Sequence, residues 1–344
     1  MSSPLASALG LTRQVLAAPM AGGPSTPALV AAAARTGGLG FLAAGYKTPQ
    51  TLADEIAAVA GASVPFGVSL FAPNPVPVSR PEFRAYAAAI GAEAGRYGIS
   101  LADAVPIEDD DHWPDKIDVL RATPVPVVGF TFGIPAPDVI RALRRTGALL
   151  VQTVTSANEA KAAAEAGVDA LAVQAAAAGG HSATLTPRRP LAPTPLADLI
   201  TAVRQAVRLP VIAAGGIATA ADVGAAIRAG ADAVAVGTVL LRADEAGTSA
   251  THRAALADPA RNGTVLTRAF TGRPARALRN EFTDRWSGVA PYGYPALHYL
   301  TSSMRKAAAA AGDPERVHLW AGTGYRHATA EPAATILERL AEQI

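Results

Sequence analysis

The chain contains no cysteine. Disulfides, thiolate metal sites, iron–sulfur clusters and thiol nucleophiles are therefore excluded. Aromatic residues make up only 5% of the 344 positions, so core volume must come mainly from Ala, Val, Leu and Ile. No Lys/Arg run or basic stripe interleaved with aromatics points to a nucleic-acid partner. No apolar stretch is long enough to span a membrane, and the opening MSSPLASALGLTRQVLAAPM lacks the layout of a signal peptide. The expected location is the cytoplasm. No HxH, HExxH or His–carboxylate spacing suggests a metal site. The acidic triplet 109–111 reads as a solvated loop. The sequence sets no oligomeric state.

What is present is rhythm. Half the residues are hydrophobic, and many fall in short runs that do not alternate. These are VLAAPM (15–20), GLGFLAAG (38–45), FGVSLF (66–71), VVGFTF (127–132), LLVQTV (149–154), ALAVQ (170–174), VIAAGG (211–216) and AVAVGT (233–238). Runs apolar throughout fit parallel strands buried on both faces. Ala-rich helix candidates sit between most of them, with starts at Thr26, Thr48, Ser156 and Thr219. Glu159, three residues after Ser156, predicts a capping box. EAGVDALAVQ and RAGADAVAVGT are near copies of one helix–stop–strand unit. The expected fold class is α/β, a (β/α)₈ TIM barrel of about 250 residues with an inserted, mainly helical cap.

Two regions break the rhythm. Residues 96–122 form an acidic insertion between the third and fourth runs. Residues 242–312 show no strand periodicity. Their DEAGTSATHRAAL, TGRPARALRNEF and ALHYLTSSMRKAAAAAG read as helices with loops. The expected division is a barrel over 1–241 plus 313–344, closed by an amphipathic helix in 331–344, and a helical cap or substrate domain over 242–312.

Three motifs carry chemistry. The first is Gly215–Gly216 with Ile217, and Val236–Gly237–Thr238, at the ends of the last two runs. Loops there commonly hold a phosphate in barrels, because glycine lets backbone N–H groups approach an anion. The second is Met20–Ala21–Gly22 after the first run, a side-chain-poor turn that can lie against a flat ring. The third is Gln174 followed by Gly179–Gly180–His181, which displays an imidazole on a loop at the same rim. Histidine suits proton transfer near neutral pH. Tyr294, His298, Tyr299 and Lys306 crowd one stretch of the cap and are candidates to face a substrate.

PMAGGPSTPALVAAAARTGGLGFLAAGYKTP, AGGH, PVIAAGGIATAADV and AVAVGT, in this order and spacing, resemble the nitronate monooxygenases, formerly 2-nitropropane dioxygenases. So do DEAGTS, FTGRPARALRNEF and YPALHYLTSSMRKAAAAAGD. The resemblance implies an FMN enzyme that oxidises small anionic alkyl nitronates with O₂ to a carbonyl compound and nitrite. It would place Met20, Ala21 and Gly22 along the flavin, with Ser69 and Gln174 on its polar edge. Gly179, Gly180, Gly215, Gly216, Ile217, Val236, Gly237 and Thr238 would surround its phosphate. His181 would be the catalytic base or orienting group. Ser69 stands where the family often has asparagine, and Ser182–Ala183 where it often has Arg-Gly. An FMN-dependent enoyl-thioester reductase using NAD(P)H is the alternative reading, since related barrels carry similar glycine motifs and a histidine.

Overall fold

All eight apolar runs form strands of one closed parallel barrel. The computed structural model describes residues 11–342. In chain order the strands are β1 (Val15–Ala17), β2 (Gly40–Ala43), β3 (Phe66–Ala72), β4 (Val127–Phe132), β5 (Leu149–Val154), β6 (Ala170–Gln174), β7 (Gly180–His181), β8 (Val211–Ala214), β9 (Ala233–Val236), β10 (Thr264–Thr267) and β11 (Ala275–Leu278). Eight of them close the barrel when β1 pairs with β9 through Val15↔Val234 and Ala17↔Val236. β7, β10 and β11 form a separate three-stranded sheet.

The helices are α1 (Pro27–Arg35), α2 (Pro49–Ala60), α3 (Arg80–Ala89), α4 (Gly91–Gly95), α5 (Trp113–Ala122), α6 (Pro137–Arg144), α7 (Ala157–Ala166), α8 (Leu196–Ala206), α9 (Ala220–Arg228), α10 (Ala250–Ala257), α11 (Glu281–Trp286), α12 (Ala296–Ala310) and α13 (Ala333–Leu340). α1, α2, α5–α9 and α13 make the outer ring. Thr26 and Thr48 cap their helices by accepting from the amides of Leu29 and Thr51, and Thr219 shares a capping box with Asp222. The near-copied units also share a brace. Asp169 accepts from the amide of Leu150 at 2.9 Å, and Asp232 from that of Val211 at 2.8 Å. Each aspartate ties the start of its strand to the strand before it.

Two apolar layers result from the two-residue period of a strand. Leu42, Val68, Phe130, Leu150, Val173 and Val234 face the helices, whereas Leu16, Phe41, Val127, Val151, Ile212 and Ala233 fill the barrel interior.

Several expectations need correction. The box at Ser156 is half formed: Ser156 accepts from the Glu159 amide, but the Glu159 carboxylate turns to Thr155 and to the 184–185 segment. The second half of the acidic insertion is the ring helix α5, packed between α2 and α6. TGRPARALRNEF is not one helix. Ala275–Leu278 forms β11, paired antiparallel with β10 and with His181 itself (Ala275↔His181). Ala, Arg and Leu favour helix locally, and this tertiary pairing overrides them. Residues 250–257 and 296–310 are helical as expected, so the cap is mixed rather than helical. Trp320 bridges to Ala277, and Val317 and Leu319 pack with Leu278, so the segment after 312 joins the cap before the chain returns to the barrel as α13. Among the described residues no helix is long and apolar enough to cross a membrane.

Candidate active site

The three sequence motifs meet at the C-terminal rim. A Cβ placed on Gly237 would touch Met20 Sδ at 3.4 Å, so the β1 and β9 rims adjoin. Gly215 and Gly216 take φ +100° and +84°, left-handed values that glycine adopts without penalty. A Cβ on Gly215 would lie 2.8 Å from the Ala175 carbonyl, which joins this turn to the segment after β6. Gly322 donates to Thr238 Oγ1 at 2.9 Å, Thr323 donates to the Ala177 carbonyl at 3.0 Å, and Gly179 abuts the Ala321–Gly322 backbone. The amides of Gly215, Gly216 and Gly237 donate to no backbone or side-chain acceptor among the described residues. Arg276 donates to the Ala176 carbonyl at 2.7 Å. Free amides, a threonine hydroxyl and a guanidinium are a donor set for a phosphate dianion.

Reading the sequence alone missed Gly322, Thr323 and Arg276. The Ala-Gly-Thr-Gly of 321–324 was the available signal. Two expected contacts need correction. The side chains of Ile217 and Val236 pack in the outer core and point away from the barrel axis, so these residues can offer only backbone. For Val236 the cause is strand alternation, which gives Gly237 the inward position.

Ser69 lies on the inner face of β3 beside Gly129. Gln174 reaches inward but is already engaged. Its Oε1 accepts from the Ala183 amide at 2.8 Å and its Nε2 donates to the His181 carbonyl at 3.2 Å. Gln174 therefore holds the His181 segment from below and keeps one amide proton for a ligand.

His181 stands on β7, not on a free loop. Its ring is enclosed by Phe132, Tyr294 and Trp320, with centroids at 5.7, 5.6 and 5.3 Å. Nε2 lies 2.9 Å from Thr271 Oγ1, and that hydroxyl is 3.3 Å from the Arg273 carbonyl. The hydroxyl has one proton. When it goes to the carbonyl, Nε2–H donates to Thr271 and Nδ1 keeps the lone pair, the tautomer a base requires. Burial pushes the His181 pKa down to about 3, with Arg273 and Arg305 adding to the fall.

Those two arginines are the unexpected part of the site. Arg273 is fully buried and donates to the carbonyls of Thr184, Ser182 and Asn74, with its guanidinium 4.0 Å over the Phe132 ring. Arg305 is 5% exposed and donates to Thr301 Oγ1 and the His298 carbonyl. Neither forms a salt bridge with any described carboxylate. Burial lowers both pKa values only to about 10, so both stay cationic at neutral pH. Glu159 acts on Arg273 from a distance, but neither cation has a carboxylate in direct contact, which leaves room for an anion beside them.

Lys306 does not take that role. It is exposed on the outer side of α12. His298, Thr301 and Arg305, spaced i, i+3 and i+7, share the inner face, a period that was readable in the sequence. Tyr294 and His298 are in the site. Tyr299 sits at its rim and donates to Asp109. Of the acidic triplet, Asp109 and Asp110 are exposed, but Asp111 binds Lys116 at 2.7 Å. A cavity opens beside this group, lined by Tyr46, Phe71, Phe132, Tyr294 and residues 73–75. Tyr46 and Phe132 carry φ +66° and +81°, and such backbone outliers often cluster at functional sites.

The burial of histidine predicts how stability depends on pH. His181 and His252 are held down to about 3 and about 4, and His298 and His318 well below 6.5, with burial the main cause in each. His252 Nε2 and His318 Nδ1 have no hydrogen-bond partner among the described residues. Below about pH 6.5 the unfolded chain takes up protons that the folded chain refuses. Stability should then fall by up to ~1.4 kcal/mol per pH unit for each imidazole, until the folded values are reached. Urea unfolding at pH 7.5, 6.0 and 5.0 checks this, and a midpoint unchanged to pH 5.0 would refute it.

Comparison with known proteins shows the family to which the chain belongs. A family model described as nitronate monooxygenase matches residues 3–343. The probable nitronate monooxygenase of Staphylococcus aureus (strain Newman) is 37% identical over 342 residues, covering 98% of this chain and 95% of that protein. The crystal structure of nitroalkane oxidase from Streptomyces ansochromogenes superposes with a TM-score of 0.92 at 43% identity, covering 99% of this chain and 97% of the other. FabK from Thermotoga maritima superposes with a TM-score of 0.77 at 25% identity, covering 100% and 96%. With matches of this extent, the chain belongs to the nitronate monooxygenase family.

Proposed function

We propose that the protein is an FMN-dependent nitronate monooxygenase, oxidising small alkyl nitronates with O₂ to a carbonyl compound and nitrite. The observation that carries this reading is the pair of buried guanidiniums, neither in direct contact with a carboxylate, beside a neutral imidazole. FMN, when bound, supplies the electron-transfer chemistry between a nitronate and O₂. Gly215, Gly216, Gly237, Thr238, Gly322 and Arg276 would hold its phosphate. Met20, Ala21 and Gly22 would pack along the ring, and Ser69 and the spare proton of Gln174 would meet its polar edge.

The chain's own residues account for the substrate side. His181 Nδ1 can accept the α-proton of a neutral nitroalkane. The anion left behind lies in the field of Arg273 and Arg305, which favours the nitronate over its neutral parent. Burial, with the same field adding to it, keeps His181 unprotonated before substrate arrives. Phe71, Phe132 and Tyr294 exclude water and offer apolar surface to an alkyl chain.

A visible spectrum of the purified protein, then anaerobic titration with propyl-1-nitronate, tests this reading. Flavin bands that bleach with the nitronate and not with NAD(P)H are the expected result. A colourless protein would overturn the cofactor assignment. Bleaching by NAD(P)H alone would replace the proposal with a reductase.

A further inference from the structure

The structure assigns Tyr46 a role in substrate binding: its hydroxyl donates to an oxygen of the planar nitronate group, and the acidic insertion holds Tyr46 in place. The substrate named here rests on the nitronate reading above.

Tyr46 lies just after β2 with a left-handed backbone, which residues other than glycine seldom adopt. The ion pair of the insertion clamps that turn from both sides. Asp111 Oδ1 accepts from the Tyr46 amide at 2.9 Å, and Lys116 Nζ donates to the Ala44 carbonyl at 3.0 Å. Asp111 and Lys116 bind each other at 2.7 Å, and Lys116 is only 1% exposed. The carboxylate nearest the turn is thus paired with its own cation, although its charge still acts on the Tyr46 hydroxyl and Asp109, Asp110 and Asp111 line the same cavity.

The ring is held as firmly. It stacks on His298 with centroids 4.0 Å apart and planes within 3°, and Phe71 meets it edge-on at 5.2 Å. The hydroxyl lies 3.3 Å from that of Tyr294, which donates to it. Two phenols share one hydrogen bond, so one proton remains, and it belongs to Tyr46. Both rings line the cavity. Arg305 reaches His298, the stacking partner of Tyr46, and Arg273 lies 5.9 Å from the Tyr294 ring. A spare O–H donor in the field of two cations that form no direct ion pair favours an oxyanion over a neutral group.

Nitrate, a planar trigonal oxyanion, is a probe for this site that needs no turnover. The experiment is titration of nitrate into the FMN-loaded full-length protein, read by calorimetry and by perturbation of the flavin spectrum. Tyr46→Phe keeps the stack and removes only the donor. It should bind nitrate about ten- to a hundredfold more weakly, the range for a hydrogen bond to a charged group. Flavin content and melting temperature should stay as in the wild type, and KM for the nitronate should rise with kcat little changed. Asp111→Asn leaves the hydroxyl intact but loosens the clamp, and should weaken nitrate binding by a smaller factor. Wild-type affinity in Tyr46→Phe, or no nitrate binding by the wild type, overturns the assignment. Nitrate binding that depends on Tyr46 in a protein that does not oxidise nitronates would uphold this site and overturn the proposed reaction instead.

Discussion

Replacing His181 with alanine is expected to lower turnover of neutral nitroalkanes by about 10²–10⁴-fold, the usual worth of a positioned general base. Turnover of pre-formed nitronates should fall much less, because their proton is already gone. Flavin content should be unchanged, since the His181 ring packs on Thr271, Phe132, Tyr294 and Trp320 rather than on the glycine turns. The neutral imidazole also sets the pH profile. With its pKa down at about 3, His181 is unprotonated across the neutral range, so kcat/KM for nitroalkanes should show no inflection near pH 6.5. Parallel kinetics on the two substrate forms decide the matter. Equal losses on both would mean that His181 orients the substrate and moves no proton.

The mechanism also depends on how β7 is held, and that was only partly legible in the sequence. The barrel could be read because eight apolar runs and their glycine stops are local signals. The glycine turn at 215–216, proposed to hold a phosphate, could be read because positive-φ glycines leave a mark in composition. The support for His181 is non-local. Gln174, Thr271 and Arg273 reach it from different parts of the chain, and β11 pairs with it across 94 positions (Ala275↔His181). Nothing in ARAL announces a strand, because its edge partner and not its propensity decides the outcome. Tyr46 was hidden for the same reason. Its turn is fixed by Asp111, 65 residues away, and a run of three aspartates ordinarily reads as solvated. The error over Lys306 was different in kind, since one step along α12 exchanges an outward ammonium for the inward guanidinium of Arg305. Helical period, applied to His298 and Thr301, would have chosen correctly.

The other large effect expected is on stability, at the junction between α4 and the cap. Glu93 on α4 is 3% exposed, and it accepts from Arg316 Nε at 2.9 Å and from Arg285 Nη1 at 2.6 Å. Arg316 is itself 4% exposed and reaches Glu281 at 2.8 Å. Arg285 and Arg96 are more than half exposed, so their pairs with Glu93 are screened and contribute little. The buried pair is another matter. Glu93→Ala would leave Arg316 charged in a site built for a carboxylate, and breaking such a pair costs about 3–5 kcal/mol. For a chain of this size the melting temperature should drop by roughly 10 °C. Removing both partners, as Glu93→Leu with Arg316→Met, should recover much of the loss, because no uncompensated charge remains. The pH dependence has a definite sign. Burial pushes the Glu93 carboxyl up, but Arg316 and its neighbours outweigh this and hold it below its usual range. The pair therefore stabilises fully above about pH 4.3 and is lost as the pH falls further. Calorimetry of the wild type and both variants at pH 7 and pH 3.5 separates these effects. The gap between wild type and Glu93→Ala should narrow at the lower pH. A single variant that melts with the wild type at pH 7 would show that the α3–α4 segment is anchored by its apolar contacts with the cap, Phe83 and Tyr86 against Phe270 and Phe282, and not by charge.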